Sequence, residues 1–188
     1  MSVVVAIKSD GVVYMGCDTQ TTMGKDKENR LQEADFKINK LSNGMLVGCC
    51  GSVAAEQSVR FDESVFDFQG ESLTKKDIVN NIIPKIKSKL KNAALDDTKD
   101  EEMPISFTIA HKDKLFVILM DFLVLGIEDY CARGSGCVCA CASLADKNLP
   151  IRERLLAAMR TSAKYVASVG KPFVLVDTKK LQYEIVEG

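Results

Sequence analysis

The chain predicts an α+β protein whose strands and helices occupy separate layers. Two observations carry this. Apolar runs of strand length come in groups, with helical patterns grouped between them, in the order ββββ-αα-βββ-αα-ββ. Such segregation argues for stacked layers rather than a doubly wound parallel sheet. The runs are also joined by short turn-forming steps, which make antiparallel hairpins.

The elements follow in order. Residues 2–8 and 11–17 are apolar runs joined at Ser9-Asp10, and the Asp10-Gly11 step between them is a strong hairpin signal. Residues 36–41 and 45–50 form a second pair around Ser42-Asn43-Gly44. Gly51 ends that strand, and Ser52 opens a helical pattern to about Phe66. Leu73 to Ala94 reads as a long amphipathic helix that Pro84 must kink or restart, since proline removes a helix donor. Asp96 to Met103 is a charged loop. Strands are expected at 105–110, 115–120 and 123–130, helices at 137–146 and 151–168, and last strands at 173–176 and 181–186.

With 188 residues the chain suits a single domain, 1–188, with a sizeable core. Hydrophobic residues make up 46% and charged residues 27%, the composition of a globular protein. The 25 basic and 26 acidic residues leave a net charge of −1, so no electrostatic footprint points to nucleic acid or an anionic membrane. No charged-then-apolar leader and no run long enough to span a bilayer is present, which predicts a cytoplasmic protein.

The seven cysteines are odd in number, so a disulfide framework is not expected. Cys137, Cys139 and Cys141 lack the CxxC spacing of zinc knuckles, and the single histidine, His111, is distant in sequence. The expectation is small buried apolar residues, reduced and metal-free, with Cys49 and Cys50 on opposite faces of one strand.

The start of the chain raises a separate question. The run Val3 to Ile7 begins almost at the first residue, although chain ends usually fray. Once Met1 is removed, Ser2 carries a hydroxyl and a free α-amine together at the tip of a buried strand. A hydroxyl needs a base to accept its proton. An α-amine, with a pKa of about 7.7–8.0, can be that base without a histidine.

Three linked stretches, "SVVVAIKSDGVVYMGCDTQTTMG", "DFKINKLSNGMLVGCCGSVA" and "ARGSG", make the chain resemble the N-terminal-nucleophile hydrolases, in particular the proteasome β-subunit and HslV family. The resemblance covers nearly the whole chain and rests on the order and spacing of the three motifs together. It implies a four-layer αββα sandwich, self-assembly into rings, and peptide hydrolysis by a residue at the N-terminus.

The resemblance places Ser2 at the nucleophile position, where the family carries threonine, with Val3 in place of a second threonine. It places Asp18 and Lys37 at the family's aspartate and lysine, Gly51 at the oxyanion glycine, and Ser135 beside the terminal amine. Lys37 would then hold a positive charge near the hydroxyl and amine, oriented by Asp18. Thr22 and Val53 would pair an extended peptide by strand addition. Thr21, Asp35, Cys49 and Val53 would line the first specificity pocket, where Asp35 could favour a basic residue. The family's Asp-Gly-Ser-Ser-Gly-like stretch is replaced by "ASVGKP", which offers Ser168 and Lys171 instead.

The expected function is a peptidase acting on peptides or unfolded protein, as a homo-oligomeric ring, with no cofactor and no metal; whether an ATPase partner exists is left open. An inactive structural or regulatory subunit, and a small-molecule amidase on the same scaffold, are the alternatives. The helices at 52–66 and 73–94 carry more apolar residues than one face needs, among them Val53, Val59, Phe61, Val65, Phe66 and Phe68, which points to an exposed interface.

Overall fold

The structure, a computed structural model, describes residues 2–23, 26–93 and 103–187. Strands β1 (Val4–Ser9) and β2 (Val12–Asp18) form the first hairpin. Asp10 and Gly11 both take positive φ, 51° and 74°, the pair that a tight two-residue turn needs. Strands β3 (Gln20–Met23) and β4 (Asp26–Asn29) form a small separate hairpin. Strands β5 (Ile38–Lys40) and β6 (Leu46–Gly51) follow. The expected pair at 36–41 and 45–50 is thus present in shortened form.

Ser52 caps helix α1 (Val53–Arg60), its hydroxyl accepting from Ala55 N. A short 3₁₀ turn at Glu63–Phe66 completes the stretch expected to be one helix. The next helix opens at α2 (Lys75–Asp77) with a reciprocal capping box between Thr74 and Asp77. It widens to a π turn over Ile78–Ile82 and continues as α3 (Ile83–Asn92). Pro84 follows this π turn directly, so the helix carries the proline without ending, and the widened turn sits where the proline N–H is missing from the ladder. The charged loop expected at 96–103 lies outside the described residues except for Met103.

Strands β7 (Ile105–His111) and β8 (Lys114–Ile118) pair antiparallel. The single strand expected at 123–130 is in fact two. Strand β9 (Val124–Gly126) closes one sheet, and β10 (Tyr130–Arg133) joins the other. Helices α4 (Cys137–Leu144) and α5 (Ile151–Tyr165) follow, then β11 (Phe173–Asp177) and β12 (Glu184–Val186).

Two five-stranded sheets result, with orders β10-β1-β2-β11-β12 and β5-β6-β7-β8-β9. Three apolar cores separate four layers. Val4, Ala6, Met15 and Cys17 meet Ile38, Leu46 and Val117 between the sheets. Val3, Val5 and Ile7 face Ala140, Leu155 and Met159 of α4 and α5. Val47, Cys49 and Phe107 face Val59, Ile82 and Ile86 on the opposite side. The architecture is the four-layer αββα sandwich. Alternation along β1 supplies two cores from one strand, and alternation along β6 sends Cys49 to the helix side and Cys50 between the sheets.

The apolar surplus of the first helical region is largely internal. Val59, Val65 and Phe66 are core residues and Phe68 packs against the core, whereas Phe61 is 70% exposed. Other large exposed apolar side chains include Leu31 on the segment after β4, Val138 on α4 and Tyr165 at the end of α5. Among the described residues no helix is long and apolar enough to cross a membrane.

Candidate active site

The site forms where the ends of β1, β2 and β6 meet the start of β5. Phe36 and Ile38 are anchored in the inter-sheet core and hold Lys37 between them. The Lys37 carbonyl accepts from Cys49 N at 2.8 Å, tying the segment to β6. Lys37 Nζ lies 2.7 Å from Asp18 Oδ1 and also donates to the Gln20 carbonyl. Both charged side chains are buried.

Asp18 serves more than the ammonium. Its Oδ1 accepts from Val3 N at 2.8 Å, and its Oδ2 from Gly170 N at 3.2 Å. Burial pushes the Asp18 carboxyl above its usual range, with Lys37 and the two amides opposing that shift.

Ser2 is buried beside this pair. Its carbonyl accepts from Gly136 N at 3.3 Å and from Ser135 Oγ at 3.3 Å, and Ser135 Oγ lies 2.9 Å from Ser168 Oγ. Gly134 has φ 93°, and a Cβ there would run into the Ser2 carbonyl. The backbone around the GSG turn therefore closes directly on the chain end. Among the described residues the Lys37 ammonium bonds to Asp18 and Gln20, and no hydrogen bond joins it to Ser2; the two side chains meet as walls of one pocket.

That pocket has a volume of about 200 Å³. Ser2, Lys37 and Gly51 line it, and so do Thr21, Thr22, Cys49 and Val53. Gly51 has φ 147°, and a Cβ there would strike the Pro104 carbonyl. This bend is open to glycine alone. Asp35 is not among the lining residues; it borders a neighbouring depression of about 60 Å³. The acid in the Ser2 pocket is Glu56 of α1, and a base, Arg30, lies next to it. Arg30 Nη1 reaches Glu56 Oε2 at 2.8 Å, and Arg60 Nη1 reaches Glu56 Oε1 at 2.7 Å. Sequence reasoning missed Arg30 and Glu56. The available signal was the Glu56/Arg60 spacing of four on α1, which marks an ion pair on one helix face.

Lys171 is exposed, and the support for Asp18 from this segment comes instead from the Gly170 amide. Burial raises the Cys49 thiol well above its ordinary value, so it forms part of the pocket wall as a neutral, apolar group. Among the described residues no cluster of three or more metal-ligating side chains occurs.

A four-layer αββα sandwich, here with a buried hydroxyl residue just ahead of its first strand and a Lys–Asp pair beside it, is the fold of the proteasome and HslV type of N-terminal-nucleophile protein. Solved structures with this fold include BPH of Thiobacillus denitrificans, with TM-score 0.79 and 19% identity over 96% of this chain and 98% of that one. BPH has also been solved in complex with epoxomicin. Eukaryotic HslV from Trypanosoma brucei superimposes with TM-score 0.67 at 16% identity, over 93% of this chain and 98% of that one. Anbu, an ancestral beta-subunit, from Yersinia bercovieri gives 0.69 at 13%, over 98% of this chain and 87% of that one. No protein-family model matches the sequence, and no curated protein matches it.

Proposed function

We propose that the chain is a peptidase with Ser2 as its N-terminal nucleophile, exposed by removal of Met1, and that residues 1–188 act as one domain within a cytoplasmic homo-oligomeric ring. The observation that carries this reading is that Lys37, held by buried Asp18, lines the same pocket as Ser2. A lysine charge held at that place favours a neutral α-amine and stabilises a developing alkoxide.

In this mechanism the Ser2 α-amine takes the hydroxyl proton as Oγ attacks the substrate carbonyl. The C–O bond forms, and the carbonyl electron pair moves onto oxygen. The Gly51 N–H donates to that oxyanion, a type of contact worth about 2.7–4 kcal/mol in the transition state. The amine then gives its proton to the departing peptide nitrogen as the C–N bond breaks. Water, deprotonated by the same amine, hydrolyses the ester and restores Ser2. Ser135 Oγ and the Gly136 amide both bond the Ser2 carbonyl, which supports their holding the residue in place, with Ser135 beside the amine. Thr22 and Val53 would present backbone to an extended peptide along the pocket rim. The chemistry requires neither metal nor cofactor.

The test combines mass and rate. Intact mass of protein from its native source is expected to show the chain lacking Met1. That chain should cleave fluorogenic peptides, and Ser2→Ala should not. A Met1-free chain that leaves every peptide intact would return the protein to the alternative of an inactive structural subunit. Cleavage of small amides but never of peptides would favour the amidase reading.

A further inference from the structure

Resting on the peptidase reading, we infer that the Ser2 pocket selects a carboxylate side chain on the substrate residue preceding the scissile bond, and that Arg30 is the residue that selects it. Arg30 follows β4 and reaches back over the pocket. Its Nε donates to Thr21 Oγ1 at 2.6 Å, and its Nη1 to Glu56 Oε2 at 2.8 Å and the Asp35 carbonyl at 3.2 Å. Among the described residues its Nη2 has no acceptor. The side chain is 14% exposed, so the guanidinium is rigidly held, largely dehydrated and still in touch with the pocket.

Charge bookkeeping decides the sign. Glu56 is the acid lining the pocket, and each of its carboxylate oxygens already accepts from an arginine. Lys37 is balanced by Asp18. Arg30, Arg60 and Glu56 together leave one positive charge. The Asp35 carboxylate borders the neighbouring depression and is in salt-bridge contact with neither arginine. A carboxylate entering the pocket can take the open edge of the Arg30 fork in a charge-assisted bond. A lysine or arginine would meet Arg30 with the Glu56 charge already outweighed by two arginines, and repulsion would disfavour it. A leucine would cover the guanidinium and leave its open N–H groups without an acceptor. Cys49 and Val53 supply the apolar wall for the methylenes of an aspartate or glutamate.

The experiment has a binding arm and a cleavage arm. Dye-labelled peptides ending in Glu, Leu or Arg share the same terminal carboxylate and differ only in the last side chain. Anisotropy with the Met1-free chain should show the Glu peptide binding about 10- to 100-fold tighter than the other two, the range for one charge-assisted hydrogen bond. Arg30→Gln should erase that ratio, and Arg30→Lys, which keeps the charge without the fork, should retain part of it. Thermal melts of both variants establish that they fold. Fluorogenic substrates with the same three residues should follow the same order in kcat/KM. Equal binding of the three peptides, or a ratio unchanged in Arg30→Gln, overturns this inference. Selective binding of the Glu peptide without any cleavage supports the pocket assignment and overturns the peptidase reading instead.

Discussion

Asp18 and Val3 are joined by a hydrogen bond of 2.8 Å from the Val3 amide to the same carboxylate oxygen that holds the Lys37 ammonium. One buried atom therefore fixes both the residue following the proposed nucleophile and the charge proposed to activate it. The Asp18 amide completes the link by donating to the Val3 carbonyl at 3.3 Å.

Replacing Lys37 by Met should abolish peptide hydrolysis and also destabilise the fold. Asp18 would stay buried without its counter-charge, an effect of about 3–5 kcal/mol. Ser2→Ala should abolish hydrolysis while changing stability by less than about 1 kcal/mol, since a lone hydroxyl contributes little. Urea titration of the two variants beside the parent chain measures the contrast. Equal stability for Lys37→Met and the parent would mean that the pair does not hold the site together.

Two glycines near the site should respond differently to alanine. At Gly170 the new Cβ would meet the Gln20 side chain, whose amide holds the Ala167 carbonyl at 2.9 Å. The expected result is a loop displaced from Asp18 and a fall in kcat, with activity recovered when Gln20→Ala is added. At Gly51 the obstacle is the Pro104 backbone. Gly51→Ala should cost about 1–3 kcal/mol of strain, and no side-chain deletion should relieve it. A double-mutant cycle on each site reads the difference.

The thiols should divide into two groups. Cys17, Cys50 and Cys131 are buried, and burial raises each to about 12; Cys49 is raised as well. Cys137, Cys139 and Cys141 are only half-buried. A thiol-disulfide reagent at pH 8 should label no more than those three until guanidinium is added. Tyr183, burial-raised to about 12, donates its hydroxyl to the Ile38 carbonyl at 3.0 Å. All four groups raised to about 12 keep their protons in the folded chain at pH values where the unfolded chain loses them. Their contribution is complete below the ordinary values, 9.0 for the thiols and 10.0 for the phenol, and is lost as pH rises towards 12. Denaturation midpoints should fall steadily across that window.

The ring proposal makes a hydrodynamic prediction. Phe61, Leu31, Val138 and Tyr165 are largely exposed. Light scattering at micromolar concentration should show an oligomer, and charged replacements at Phe61 or Val138 should lower its mass if those side chains lie in subunit contacts. A monomer for the parent chain would remove the ring from the proposal.

What could be read from the sequence depended on whether side chains recorded their surroundings. The Asp10-Gly11 turn and the apolar alternation of β1 and β6 did so, because both sheet faces there are packed. The β3–β4 hairpin left no such trace. The β4 residues Asp26, Lys27, Glu28 and Asn29 are all exposed, so that strand is held by backbone pairing and carries no apolar period. The 123–130 run hid a crossing between sheets, since Val124 and Cys131 are both buried but in different cores. The resemblance puts Asp35 in the pocket across a segment of unusual length, whereas the acid that reaches the pocket is Glu56 on α1. Arg30 could not be placed while its hairpin was unrecognised.

Strand β1 is apolar on both faces, towards the helices and towards the second sheet. In most half-buried strands a shift of one residue exposes grease and is punished at once. Here a one-residue slip would exchange valine for valine across Val3, Val4 and Val5, between two greasy compartments, and only Ile7 and Lys8 at the far end would register the change, while the hydroxyl end moved about 3.3 Å out of place. Hydrophobicity is nearly blind to that error. Alignment of the chain end thus falls to polar pins: the left-handed turn at Asp10-Gly11 at one end of the hairpin, and the Val3 amide on Asp18 at the other. A variant that loosened both pins could fold, melt normally and pack a full core, yet present its first residues one notch out of step.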